Sequence, residues 1–142
     1  MRMKKKFESR SSSYKRELKN LDSKEAVKEP LLVLSFKDFD INQGQSFEEW
    51  EADQLLALAI NKLRSVTGLT AGQALQQQII KNYPKVPFPP DSAFTHPKHV
   101  PNDVIWASMH IQGKECVIGY LIDNIFYVVF LDRDHEFWIC KK

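Results

Sequence analysis

Cysteine is scarce in this sequence, with two in 142 residues, Cys116 and Cys140, and no CxxC pair. That excludes a disulfide framework. Glycine is scarce too, five in all, and no cluster of them makes a P-loop or a dinucleotide fingerprint. Long apolar runs are missing. The longest, near 125–131, has the length of a strand and falls far short of the ~20 residues that span a bilayer. The basic N-terminus has no apolar core of the secretory kind, and Arg2 stands where a myristoylation signal needs glycine. No internal repeat is visible. The expectation from these absences is a cytoplasmic protein with reduced thiols, no membrane association and no cofactor.

What is present is enough for one packed domain. The chain is 43% hydrophobic, and its nine Phe, four Tyr and three Trp can fill a core. The net charge of +2 is unevenly spread. Residues 1–28 hold ten Lys and Arg, among them Lys4, Lys5 and Lys6, against four acids, while the remaining 114 residues hold ten basic and fourteen acidic groups. The reading is a basic, flexible arm over 1–29 and a single domain over 30–142. Such an arm is either a solvated leader or a contact for a polyanion such as RNA.

The apolar run 31–36, opened by Pro30, predicts a buried strand. Ser46-Phe47-Glu48-Glu49 and Thr70-Ala71-Gly72-Gln73 both carry the capping-box pattern and predict helices over 47–66 and 71–82. Trp50, Leu56, Ile60, Leu63 and Val66 recur near the helical period and are the expected buried stripe of the first, with Leu75 and Ile79 on the second. The stretch 84–101 is rich in proline and reads as a long loop. Apolar segments 104–111, 116–122 and 125–131, separated by turns at Gln112-Gly113 and Asp123-Asn124, form a β-meander. The order β-α-α-β-β-β predicts an α+β fold: a small antiparallel sheet with a helical hairpin on one face. The other face is expected to be open or partly covered by the proline-rich loop, and to carry function.

This order resembles the RelE/ParE toxin superfamily, small RNA-cleaving or gyrase-poisoning proteins that pair with an antitoxin. The YoeB-like members are the nearest in local pattern. The strand and turn Glu115–Asn124, the strand that follows, and Asp132-Arg133-Asp134-His135-Glu136-Phe137-Trp138 resemble their terminal meander with its His-aromatic ending. The resemblance implies an mRNA-cleaving endoribonuclease acting on RNA or the ribosome, with an antitoxin partner. At the position of the family's transition-state arginine this chain has Cys116, which lacks the charged planar fork. Either Lys114 supplies that charge or the site is not a nuclease.

Metal-free RNA cleavage needs a base, an acid and cations for the phosphate. His135, beyond the last strand, is the candidate acid, with Lys114 and Arg133 for the charge. Lys98, His99, His110 and the arm lysines are candidate RNA contacts. His96 and His99 have a spacing found in zinc sites, but Pro97 between them and the want of partner cysteines argue against a metal. Asp38 and Asp40 read as turn residues, and Cys116 as a small packing residue. The competing reading is a catalytically silent binding module of the same fold.

Overall fold

Two capping boxes begin helices at the expected places. Ser46 Oγ accepts from the Glu49 amide at 3.1 Å and Glu49 Oε1 from the Ser46 amide at 3.2 Å. Thr70 and Gln73 repeat the exchange at 3.1 and 3.0 Å. The computed structural model describes residues 29–84 and 86–139. The arm 1–28, with Lys4, Lys5 and Lys6, and Cys140 lie outside the described residues. The elements run β1 (Val33–Ser35), α1 (Phe47–Ala52), α2 (Leu56–Val66), α3 (Ala71–Gln76), β2 (Lys81–Asn82), β3 (Trp106–His110), β4 (Cys116–Ile122) and β5 (Ile125–Asp132).

The expected helix over 47–66 is two helices. Gln54 takes φ +62°, the Leu55 amide reaches the Trp50 carbonyl at 2.8 Å, and the Gln54 amide reaches that of Glu51 at 3.0 Å. That pair of bonds is a Schellman stop. It resets the helical phase, so the buried stripe is Trp50, then Leu55, Ala59, Leu63 and Val66. Ile60, expected inside, is 49% exposed. A second Schellman stop, with Gln78 at φ +59°, ends α3 early and frees Lys81–Asn82 to pair as β2.

The sheet has five strands in the order β1-β5-β4-β3-β2. It is mixed rather than antiparallel throughout, because β1 lies parallel to β5, with Val33 opposite Ile125. The connection between the two, residues 36–124, carries the three helices and β2–β4, well beyond the length that a parallel pairing needs. As an edge strand β1 is only half covered: Leu32 is buried, while Leu31 and Val33 are 54% and 51% exposed.

Both sheet faces are packed. The helices bury Trp50, Leu63 and Ala74 against Met109, Val117 and Val128. On the opposite face Trp106, Ile118, Tyr120 and Phe130 lie under Phe94 and Val100 of the proline-rich loop and under Phe137. That face is therefore not open over its middle, and the accessible chemistry is confined to its ends. A β-bulge sharpens the packing: Ile118 faces Phe130 and Gly119 faces Val128, leaving Val129 without a partner, so Val129 and Phe130 both join the aromatic face. A methyl group on Gly119 would collide with the Tyr127 carbonyl oxygen. Gly119→Ala is expected to cost about 1–3 kcal/mol in denaturant unfolding, and an unchanged midpoint would show that the bulge relaxes freely.

Candidate functional site

Strand register builds the site. His110 on β3 lies opposite Cys116 on β4, and Cys116 lies opposite Asp132 on β5. Since cross-strand partners share a face, the three form a row at one end of the sheet, beside the aromatic cluster.

The turn after β5 adds the fourth member. The buried Asp132 carboxylate accepts from the backbone amides of Glu136 and Phe137, each at 2.9 Å. The Glu136 carbonyl accepts from the Ala93 amide at 3.0 Å, and Phe137 is fully buried. This anchored reversal holds His135 in the left-handed region, at φ +57°. Its ring centroid lies 5.5 Å from that of His110, with the planes 31° apart. One ring nitrogen each of His110 and His135 and the sulfur of Cys116 lie within 4.8 Å of one another.

The electrostatics set the protonation. His110 is held below its ordinary value, first by burial and then by the neighbouring charges of His135, Lys81 and Lys62, with Glu115 opposing. Cys116 is pushed up to about 12, mainly by burial and then by Asp132 and Glu115, against the pull of Lys81. Its thiol donates to the Lys114 carbonyl at 3.3 Å. A thiol so raised is not a nucleophile near neutral pH.

The other expected residues divide. Lys114 is exposed on the turn before β4, next to the row. Arg133 is committed elsewhere: its guanidinium pairs with Asp53 at 2.7 Å and Asp134 at 3.3 Å, bonds that raise its pKa further. Its amide also donates to Gln45 Oε1 at 2.6 Å. His99 is not brought to the pair, since its Nε2 contacts the Asp38 carbonyl oxygen at 2.7 Å. Asp38 bonds Tyr120, four residues along β4 from Cys116, or roughly 13 Å at strand rise. Lys98, exposed beside His99, belongs with that end. His96 turns to the Pro97 carbonyl at 2.9 Å and packs on Phe88 and Trp106, so His96 and His99 look to different partners.

Asp38 is more than a turn residue. Burial alone would raise its carboxyl, but the Tyr120 hydroxyl, Lys37 and the His99 charge outweigh burial and hold it below the ordinary value. A carboxyl depressed on folding stabilises the fold above the unfolded-state value and loses that contribution as pH falls through the folded one. The stability gap between the protein and Asp38→Asn is therefore expected to be open at neutral pH and to close below about pH 4. Parallel pH profiles in urea unfolding would contradict this.

Two contributors escaped the sequence reading. Lys81 was expected at the end of a helix, yet β2 sets it opposite Ser108 on the face of the row. Asp132 enters the sequence analysis only within the stretch 132–138, and its two amide bonds show that it closes the turn carrying His135. Among the described residues, no helix is long and apolar enough to cross a membrane. Comparison with protein-family models, with curated proteins and with solved structures gives no match.

Proposed function

We propose that this chain is a RelE-like endoribonuclease that cuts RNA without a metal, using His110 and His135 as its proton-transfer pair. The observation that supports this reading is the pairing itself: two imidazoles, from β3 and from the turn after β5, 5.5 Å apart at an accessible end of the sheet. In-line cleavage needs such a pair. One ring takes the proton of the 2′-hydroxyl as its oxygen attacks phosphorus, and the other gives a proton to the departing 5′-oxygen. Burial and the surrounding positive charges disfavour a proton on His110, which suits it to the base, and leaves His135 the acid.

Cations for the pentacoordinate phosphate come from Lys114 and Lys81 in this reading, since Arg133 is bound to two carboxylates. An ammonium lacks the bidentate fork of arginine, so a low rate is expected. The basic arm supplies sequence-independent attraction to RNA. An antitoxin, the partner that the family resemblance implies, belongs to the same proposal.

The test is incubation of the full chain with mRNA, free and ribosome-bound, in the presence of a chelator. Cleavage of either is the expected result. Intact RNA in both would put the catalytically silent binding module in front.

A further inference from the structure

We propose that His110, Cys116 and His135 form a binding site for one divalent transition-metal ion, Zn²⁺ by ligand chemistry, whose occupancy shuts off the histidine pair. The binding part stands on the cluster's geometry; the regulatory part rests on the proposed RNA chemistry.

The donor set is two imidazole nitrogens and one thiolate sulfur, all within 4.8 Å of one another. Tetrahedral zinc with such donors needs ligand separations of ~3.3–3.6 Å, given Zn–N near 2.0–2.1 Å and Zn–S near 2.3 Å. The contraction that remains is at most about 1.2–1.5 Å. The two imidazoles, both only partly buried, have rotamer freedom to supply it, while Cys116 is fixed on a central strand. Three protein ligands leave a fourth position for water. Soft sulfur with imidazole selects zinc or copper over magnesium or calcium.

Binding has a definite proton balance. Cys116 starts as a thiol donating to the Lys114 carbonyl, so the ion must displace that proton to solvent, together with the proton that His135 carries as the acid. Asp132 and Glu115, whose negative charges act on the sulfur, offset part of the cation's charge, and Lys81 opposes it. With the ion in place, one nitrogen of each imidazole is a metal ligand and no longer available for proton transfer.

The test uses the reduced full chain without an oligohistidine tag. Titration with Co²⁺ should give one equivalent of binding, with a thiolate-to-cobalt charge-transfer band and tetrahedral visible bands, both bleached by Zn²⁺. Cys116→Ser should lose the charge-transfer band, and His110→Ala and His135→Ala should each weaken binding at least tenfold. Zn²⁺ should halt RNA cleavage at the concentration that fills the site, chelator should restore it, and Cys116→Ser should shift the inhibition midpoint relative to its own metal-free rate. Co²⁺ binding without the sulfur band, or a band that persists in Cys116→Ser, overturns the site. The band in a protein that cuts no RNA keeps the metal site and removes the nuclease reading. Cleavage with no band does the reverse.

Discussion

Replacing His110 or His135 by alanine is expected to lower RNA cleavage by about 10²–10⁴-fold, the usual contribution of a positioned acid or base. The two losses should not add, because both rings serve one displacement and the double variant has little left to lose. The fold should survive each change. His110 sits at the end of β3 and is only partly buried, and His135 lies in a turn held by Asp132. His135 needs the more careful control, since its φ of +57° suits alanine poorly. His135→Asn tolerates that backbone and removes the imidazole, so it should match His135→Ala in activity while keeping stability. A large loss at one histidine and none at the other, measured on the same RNA, would show that the pair does not act together.

Phe137→Ala is expected to destabilise the protein by about 3–5 kcal/mol, the range for a buried aromatic truncated to alanine. Phe137 is fully buried and its ring meets Phe88 at 5.1 Å, Trp106 at 5.3 Å and Trp138 at 4.6 Å between centroids. It joins the proline-rich loop, the sheet and the final turn. Its backbone amide is one of the two that Asp132 holds, so loss of the ring also loosens the turn that aims His135. Cleavage should therefore fall at temperatures where circular dichroism still reports a folded sheet. Urea unfolding of Phe137→Ala and of the milder Phe137→Leu measures the first effect. A loss below about 1 kcal/mol would mean that the cavity collapses readily and the residue is peripheral.

The α+β class, the meander and both helix starts were legible because each is written in local chemistry. Ser46 and Thr70 cap with their own side chains, and the Asp123-Asn124 turn places Asp123 at φ +55°, a conformation that Asp accepts. The helix end at Val66 was legible, but two other stops were not. Both stops put glutamine, Gln54 and Gln78, where glycine is the usual signal, and tertiary packing overrides that local preference. The missed stop at Gln54 moved the buried stripe from Leu56 and Ile60 to Leu55 and Ala59. The missed stop at Gln78 hid β2, and Lys81 with it.

The site was legible only in pieces. His135 stood out by its place after the last strand, and His110 only as one of several candidate RNA contacts. Their meeting depends on the register that sets His110 opposite Cys116, and on a turn closed by the Asp132 carboxylate. Register is a property of two strands and the turn between them, and no single stretch of sequence displays it. The ion pair of Arg133 was hidden for a similar reason: Asp53, eighty residues earlier, reaches it across the fold.

The chemical nature of the RNA ends tests the imidazole pair most directly. Proton transfer from the 2′-hydroxyl to the 5′-oxygen must leave a 2′,3′-cyclic phosphate on one fragment and a 5′-hydroxyl on the other. Those ends, formed in chelator and lost in His135→Asn, are the expected result. Fragments bearing a 5′-phosphate, or cleavage that persists undiminished without His135, would contradict it.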